Sequence, residues 1–295
     1  NHARIYSEIE SCTLAAVYDC DQAQAASVAA RHGARAASSL DELLESVDIA
    51  SLATPTSCHY GIGRRMIERG CHVLIEKPIT ETTGQARELA NLASSAGVIL
   101  QVGHVERFNP VLDELEKRMS KPMFIEAHRL SPYPNRSTDI GVVLDLMIHD
   151  LEIILHLVRS PVRHLDVVGI PVLSASEDIA NARIRFESGC VANVTASRIS
   201  PEKMRKIRVF QDDAYLSLDY GNQAGEIYRR RDGGISRDKV AVEKGEPLRR
   251  ELEAFVNCAR HGVRPMVSGY EAAAALDLSL EIARQIGEQT PGSGR

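Results

Sequence analysis

The sequence predicts an α/β protein that begins with a doubly wound parallel sheet and continues into a separate α+β domain. Three observations support this prediction. Short apolar runs alternate with helical segments over the first hundred residues, and long β-like segments with few helices dominate the rest. The 295 residues also exceed what one hydrophobic core usually serves, which favours two domains.

Four buried strands are predicted in the first part, and helical segments separate them. The strands lie at 14–18, 48–53, 71–75 and 98–102, and the helices at 21–32, 39–45, 60–69 and 82–96. Gly33 and Gly97 are typical residues just past a helix end, and Ser39 with Glu42 resembles a capping box. Because apolar strands that alternate with helices form parallel sheets with crossover connections, we expect a Rossmann-like sheet here.

The front of the sequence lacks a feature that such a domain usually has. A strand and a G-x-G-x-x-G turn normally precede the first helix, where the turn binds phosphate. This sequence begins at Asn1, within the pattern of that helix. We therefore expect a sheet whose first strand and glycine loop are missing.

The second part predicts an open, mostly antiparallel sheet with helices on one face. Strands are predicted at 123–129, 162–172, 179–186, 190–197, 206–211, 214–218 and 226–230, and helices at 108–119, 141–158, 247–260 and 269–286. The predicted boundaries are 1–105 for the dinucleotide-binding domain and 106–295 for the substrate and oligomerisation domain. The helix at 269–286 is a candidate for packing back on the first domain.

Composition excludes several classes of protein. The formal net charge is −5 with no basic stripe, which argues against nucleic-acid binding. No apolar run approaches the roughly 20 residues that cross a bilayer, so no membrane partner is expected. The six cysteines form no C-x-x-C pair, which predicts neither a zinc site nor a redox dithiol and fits a reducing, cytoplasmic location.

Polar or special residues follow all four predicted strands of the first part. They are Asp19, Thr54-Pro55, Glu76-Lys77 and Gly103-His104. Ligands of parallel sheets bind at the carboxyl ends of strands, so these residues predict a ligand site.

Lys77 is the first catalytic candidate. The following proline favours an extended Lys77, which directs its side chain out of the strand end. A lysine there can hydrogen-bond a substrate oxygen and stabilise charge that develops on it. The alternative is a surface lysine in an ion pair.

Asp145 and His149 are four residues apart and share one face of the helix predicted at 141–158. A histidine beside a carboxylate in a partly dry cleft can act as a base near neutral pH. One alternative is a buried structural histidine with a capping aspartate. Another is a metal site that adds Asp150 or His156, although these lie poorly on the same face.

Asp19 follows the second strand that a complete dinucleotide-binding domain would have. An acidic residue there accepts both ribose hydroxyls of NAD and repels the 2′-phosphate of NADP. The alternative is a turn-forming residue in Asp19-Cys20-Asp21.

Taken together, these pieces resemble the Gfo/Idh/MocA oxidoreductase family (glucose–fructose oxidoreductase, inositol dehydrogenase and relatives). The matching segments stand in family order: Val17-Tyr18-Asp19, Ala53-Thr54-Pro55 with His59, Glu76-Lys77-Pro78, Gly103 through Pro110, and Asp145-x-x-x-His149. The resemblance implies a Rossmann domain, an open-sheet domain that often mediates homo-oligomers, and hydride transfer between a sugar and nicotinamide.

The resemblance also implies roles for individual residues. Lys77, Asp145 and His149 are the expected catalytic group. The expected cofactor contacts are Asp19, Thr54, Pro55, His59, Glu76, Lys77 and His104, with NAD favoured over NADP, and no metal is expected.

The stretch 139–150 is most similar to the family branch that oxidises nucleotide sugars. This implies oxidation of the 3-hydroxyl of a UDP-amino sugar such as UDP-N-acetylglucosamine, a step toward lipid A. Arg107, Tyr133 and Arg136 are the expected substrate contacts, and Arg198, Lys203 and Arg205 are further candidates for neutralising a diphosphate. The alternatives are a dehydrogenase of a free polyol such as an inositol and a non-catalytic scaffold.

Overall fold

The computed structural model describes residues 1–133, 140–231 and 234–289, and the chain divides into two compact units. The first unit contains Asn1–Phe108 and Glu246–Ala273, and the second contains Asn109–Gly245 and the chain from Ala274 onward. The break at Phe108 lies close to the predicted one. The assignment of all of 106–295 to the second domain differs from the structure, because Glu246–Ala273 returns to the first unit.

The returning segment joins an apolar cluster of the first unit. Leu252, Phe255 and Val256 of its helix pack with Ile5, Tyr6, Ile9 and Leu74. No local sequence pattern distinguishes a helix that packs on a neighbouring domain from one that packs on its own.

The first unit alternates helices and strands as predicted. Its elements are α1 His2–Glu8, β1 Ala16–Val17, α2 Gln22–His32, β2 Arg35–Ala36, α3 Leu40–Leu44, β3 Ile49–Leu52, α4 Thr56–Glu68, β4 His72–Glu76, α5 Thr83–Ala96, β5 Leu100–Gly103, a 3₁₀ turn Val105–Phe108, and α8 Pro247–His261. All strand pairs are parallel: β3, β4 and β5 form one sheet in that order, and β1 pairs with β2 in a second sheet. The predicted parallel architecture is thereby confirmed.

Helix ends in the first unit follow the predicted chemistry. The Asp21 carboxylate accepts from the amides of Ala23 and Gln24 at the start of α2. Gly33 and Gly97 end α2 and α5 with φ of 69° and 67°, a region that glycine enters without steric cost.

The second unit is built on one eight-stranded sheet. Its elements are α6 Pro110–Glu116, β6 Phe124–Leu130, a π turn Val143–Met147, α7 Ile148–Val158, β7 Val162–Ile170, β8 Ile179–Phe186, β9 Val191–Ser197, β10 Met204–Phe210, β11 Ala214–Asp219, β12 Ala224–Arg231, β13 Gly234–Val240 and most of α9 Gly269–Gln289. The strand order is β13-β12-β11-β10-β6-β9-β8-β7, and only the β6–β9 pair is parallel. The predicted, mostly antiparallel open sheet is confirmed.

One face of this sheet carries the core of the second unit. Strands β8, β9 and β10 alternate buried and half-buried residues, as expected when one sheet face is covered. Ile153 and Ile154 of α7 and Ile282 of α9 join the apolar side chains of the strands in one cluster. No helix within the described residues has both the length and the apolar composition that crossing a bilayer requires.

The helix predicted at 141–158 contains an irregular turn. Residues Val143–Met147 form a π turn before the regular α7, and the Ile148 amide donates to the Val143 carbonyl five residues earlier. Asp145 lies within the π turn and His149 lies at the start of α7. Such wide turns occur often at functional sites.

Candidate active site

The carboxyl ends of β3, β4 and β5 place several predicted site residues at one sheet edge. Because Leu52 pairs with Ile75 and Glu76 pairs with Gly103, the loops that begin at Ala53, Lys77 and His104 leave the sheet on the same side. This is the edge at which parallel sheets bind ligands. Thr54 and Pro55 are exposed there, and Lys77 is half-buried.

Glu76 organises this edge through both carboxylate oxygens. Its Oε1 lies 3.0 Å from the Nε2 of His2, and its Oε2 accepts from the Lys77 amide at 3.3 Å. A Cβ on Gly103 would lie 2.7 Å from Oε2 and 3.2 Å from the Glu76 Cα, so only glycine leaves room for this arrangement. The carboxylate therefore sets the direction in which the chain leaves β4.

His59 is buried in the first turn of α4 rather than directed at an open cleft. It is 1% exposed, and its ring nitrogens lie 2.9 Å from the carbonyl oxygens of Thr54 and Pro78. A ring N–H donates to one of these carbonyls. In this position His59 links the loops that follow β3 and β4, which is how it can shape a cofactor site without facing the cofactor.

His104 is also buried, and its charge state is set by its surroundings. Burial, together with the positive charges of Lys77 and Arg107, lowers its pKa to about 3. The ring is therefore neutral at every working pH. The effect also shows that the Lys77 ammonium lies near enough to His104 to act on it electrostatically.

Asp19 performs the turn role that the sequence left open as an alternative. Its Oδ1 accepts from the Asp21 amide at 2.9 Å, and its backbone carbonyl accepts from Gln22. The residue is half-buried at the end of β1. This position suits a carboxylate that accepts hydroxyl donors of a bound ribose.

The described residues of this unit fit a bound dinucleotide. The half-buried Asp19 carries a carboxylate, a group to which ribose hydroxyls can donate. Helix α4 starts at Thr56, and its N-cap residue Pro55 makes no side-chain cap hydrogen bond, which suits an anionic group. The exposed Thr54 and Pro55 leave the approach to these groups open.

Asp145 and His149 lie together on the helical segment of the second unit, and both are half-buried. The next residue, Asp150, is 1% exposed and binds Arg129 of β6 through two hydrogen bonds of 2.7 and 3.0 Å. This buried ion pair anchors the helix to the sheet beside His149. Both carboxylate oxygens of Asp150 are thereby engaged by Arg129.

The start of the same helical segment is held by the segment 172–178. Asp178 is fully buried and accepts from the amides of Val172 and Ser174 and from the Arg198 guanidinium at 2.8 Å. Burial opposes ionisation of Asp178, but the hydrogen bonds from Leu173, Arg198 and Ser174 outweigh it and lower the pKa below its usual value.

Arg198 is fully buried, which corrects its proposed role as a diphosphate contact. Besides Asp178, its guanidinium donates to the Ile140 carbonyl at 2.6 Å and to the hydroxyls of Ser174 and Ser176. A guanidinium with these partners and no exposed surface is a structural group. The basic residue after a strand looked like a ligand contact only because the sequence does not reveal burial.

The other predicted substrate contacts differ in accessibility. Arg107 is 2% exposed within the 3₁₀ turn, whereas Tyr133 is 39% exposed. Arg136 lies outside the described residues. Within the described part of the chain, no group of three or more histidine, cysteine, aspartate and glutamate side chains has an arrangement that holds a metal ion.

Glu251 is a buried carboxyl outside the sequence motifs. It is fully buried in α8, and neither of its side-chain oxygens has a hydrogen-bond partner among the described residues. Burial raises the pKa of Glu251 well above its usual value, and the nearby Glu76 carboxylate raises it further.

This burial predicts a pH-dependent stability. Because the folded protein binds the Glu251 proton more tightly than the unfolded chain, stability falls as the pH rises above the ordinary pKa of glutamate. We expect Glu251→Gln, which is neutral at every pH, to melt a few degrees above wild type at pH 8, where about 1 kcal/mol corresponds to roughly 2–4 °C. At pH 5 the two should melt nearly together.

Calorimetry at both pH values tests this. Glu253→Gln on the same helix is the matched control, since Glu253 is half-exposed and pairs with Arg249. An equal difference between Glu251→Gln and wild type at pH 5 and pH 8 would contradict the raised pKa.

Comparison with known proteins was consistent with this geometry. The model described as "Oxidoreductase family, NAD-binding Rossmann fold" matches residues 1–104, and the "GFO/IDH/MocA C-terminal domain" matches residues 116–217. UDP-N-acetylglucosamine 3-dehydrogenase of Acidithiobacillus ferrooxidans is 37% identical over 263 residues, covering 87% of this chain and 83% of that protein. The scyllo-inositol 2-dehydrogenase (NAD(+)) of Bacillus subtilis is 25% identical over 81% of this chain and 76% of its own length.

Solved structures agree with the sequence matches. The Acidithiobacillus ferrooxidans enzyme superposes with a TM-score of 0.93 at 35% identity, covering 97% of this chain and 93% of that one. An NAD binding oxidoreductase from Klebsiella pneumoniae superposes with a TM-score of 0.84 at 20% identity, covering 98% and 92%, which shows the shared fold alone. The chain therefore belongs to the Gfo/Idh/MocA oxidoreductases and carries their NAD-binding Rossmann domain.

Proposed function

We propose that the protein oxidises the 3-hydroxyl of a UDP-amino sugar, with UDP-N-acetylglucosamine as the first candidate and NAD as the hydride acceptor. The observation that carries this proposal is the 37% identity over 87% of the chain to a UDP-N-acetylglucosamine 3-dehydrogenase. The product would be a 3-keto nucleotide sugar, and we place the reaction in the cytoplasm on the route to lipid A.

We assign the proton transfer to His149. A neutral imidazole can take the proton from the sugar hydroxyl as its carbon is oxidised. Asp145, four residues earlier, supports the imidazole or holds a neighbouring hydroxyl. Bound NAD supplies the hydride acceptor.

We propose that Lys77 donates a hydrogen bond to the oxygen on the reacting carbon. An ammonium group that donates to this oxygen stabilises the negative charge that develops as the proton leaves. Its neighbour His104 is neutral because of its lowered pKa, so it does not compete as a second positive charge. Lys77 is also the only lysine between residues 1 and 108.

We propose that Tyr133, Arg107 and Arg136 contact the nucleotide part of the substrate. The exposure of Tyr133 supports a contact with an incoming ligand. The burial of Arg107 favours an indirect contribution through the loop that it supports.

The second candidate function is oxidation of a free polyol. The 25% identity to an inositol dehydrogenase over 81% of the chain favours it. This alternative keeps the roles of Lys77, Asp145 and His149 and changes only the substrate.

A substrate screen distinguishes the two functions. We would follow NAD reduction at the absorbance of reduced nicotinamide with UDP-N-acetylglucosamine, UDP-glucose, free N-acetylglucosamine and myo- and scyllo-inositol. Reduction with UDP-N-acetylglucosamine supports the proposal. Reduction with inositols alone replaces it by the polyol function, and no reduction with any alcohol would leave a non-catalytic scaffold.

The carboxylate of Asp19 predicts the choice between NAD and NADP. We expect Asp19→Asn to raise the KM for NAD about tenfold with kcat within twofold, because asparagine keeps the turn but loses the charged acceptor of ribose hydroxyls. NADP use should improve, since repulsion of the 2′-phosphate disappears. Asp21→Asn, which keeps the cap of α2, is the control. Unchanged constants for both cofactors would exclude Asp19 from the ribose site.

We also propose that the protein is a homo-oligomer that uses the sheet of the second unit. Phe124, Phe210, Tyr215 and Tyr228 form a row of neighbouring rings across β6, β10, β11 and β12, with centroids 4.6–5.5 Å apart. All four are half-buried within this one chain. Light scattering after gel filtration gives the mass, and a monomer would contradict the proposal.

A further inference from the structure

The geometry points to Glu177 as a positioning residue for the Asp145–His149 pair, and this inference rests on the proposed function of that pair. Glu177 lies outside the segments that resemble the family motifs. It belongs to a segment between β7 and β8 and is half-buried. Its relevance comes from what its carboxylate and its carbonyl contact.

Glu177 binds the beginning of the helical segment that carries the pair. Its backbone carbonyl accepts from the Val142 amide at 3.0 Å, and its Oε1 accepts from the Val143 amide at 3.2 Å. Helix N-termini leave amides without helical partners, and a carboxylate there satisfies them and interacts well with the helix dipole. Glu177, from a distant part of the sequence, thus caps the π turn at Val143, which is two residues before Asp145.

Gly141 shows how closely the Glu177 carboxylate approaches the backbone before the π turn. A Cβ at this position would lie 1.9 Å from Oε1 of Glu177 and 2.3 Å from its carboxyl carbon. The backbone of Gly141 does not have a positive φ, so its torsion angles do not demand glycine. A Cβ at this position would meet the Glu177 carboxylate, which would have to move to make room.

The cap is fixed in place by the buried groups next to it. Asp178, directly after Glu177, is fully buried against Arg198, and Arg198 also donates to the Ile140 carbonyl. Arg198 therefore ties both sides of the contact together: the segment that carries Glu177 and the chain that enters the π turn. These contacts fix how the segment that carries Glu177 meets the chain that enters the π turn.

The helical segment is consequently held at two points. Glu177 holds its first amides, and Arg129 holds Asp150, which directly follows His149. Asp145 and His149 lie between these points. A displacement of about 1 Å in a catalytic group can cost up to 100-fold in rate, so loss of one point should reduce turnover without removing a chemical group.

The test compares Glu177→Ala with Glu177→Gln. Alanine removes the cap, whereas glutamine keeps a carbonyl oxygen that accepts from the Val143 amide. We expect kcat with UDP-N-acetylglucosamine to fall about tenfold in Glu177→Ala, with KM values for sugar and NAD within twofold of wild type. Glu177→Gln should retain at least half of the wild-type kcat.

Gly141→Ala tests the same contact from the other side. Its added Cβ should displace the Glu177 carboxylate and lower kcat by a similar factor. Because both changes break one contact, the double variant Gly141→Ala/Glu177→Ala should be no slower than either single variant. Multiplied effects would show that the two residues act separately and would contradict the inference.

A readout without turnover separates this inference from the proposed function. We would record the His149 ring signals by NMR, assigned with His149→Gln. Shifted signals in Glu177→Ala and unshifted signals in Glu177→Gln support positioning even if wild type oxidises no nucleotide sugar, in which case only the proposed function falls. Unmoved signals in Glu177→Ala, or a lower melting temperature with unchanged kcat, would reduce Glu177 to a structural cap and overturn the inference.

Discussion

His149→Ala is expected to lower kcat with the sugar substrate by about 10²–10⁴-fold, because general-base catalysis contributes a factor of this size. The KM for NAD should remain close to the wild-type value, since His149 lies in the unit that does not carry the Rossmann domain. Added imidazole should restore part of the rate, since a small base can enter the space that the side chain leaves. Steady-state kinetics with and without imidazole measure both effects.

His156→Ala is the matched control for this prediction. His156 belongs to the same helix, but its ring contacts Glu116 at 3.1 Å, away from the π turn. It should leave kcat unchanged. An equal loss in both variants would point to general damage to α7, and a His149→Ala variant as fast as wild type would require a different base.

Lys77→Met is expected to lower kcat by about 10²–10³-fold, the usual effect of removing one group that stabilises developing charge on oxygen. Lys77→Arg should recover part of this, because it keeps the charge but not the position of the nitrogen. The loss should persist at saturating sugar if Lys77 acts mainly in the transition state.

The pKa of His104, a neighbour of Lys77, offers a second measurement. The ammonium helps to lower the pKa of His104, so Lys77→Met should raise that pKa, while Arg107 and burial continue to hold it down. Titration of His104 by NMR measures the change, and Lys121→Met is the control for loss of a lysine elsewhere. A His104 pKa that does not move would show that the Lys77 ammonium is directed away from the sheet edge.

Local sequence patterns predicted many of the helices and strands. Apolar runs located β3 and β4, and Gly33 and Gly97 marked the ends of α2 and α5 because a left-handed residue is required there. The missed strand β13 contains Arg237, Asp238 and Lys239 at the edge of the sheet. Edge strands often carry charges, and this hides the alternation on which strand prediction depends.

The sequence shows which residues belong to motifs, but it does not show which partners their side chains bind. Arg198 and Asp178 became a buried pair because the segment 172–178 folds back on the chain before α7, and no spacing rule reports such a contact. His59 stays a predicted cofactor-site residue, and the hydrogen bonds of its buried ring to two backbone loops were not foreseen. In both cases the contacts depend on burial, which is a property of the tertiary structure.

The π turn at Val143–Met147 has a consequence for the helix as a whole. A π turn contains one residue more than an α-helical turn. The side chains before and after it therefore point in different directions around the helix axis than they would in a regular α-helix. Deleting a residue within the turn would restore an ordinary helix, but it would also rotate Asp145 relative to Asp150, which is fixed by Arg129. The length of this turn, and not only the identity of its side chains, is therefore part of what the site requires.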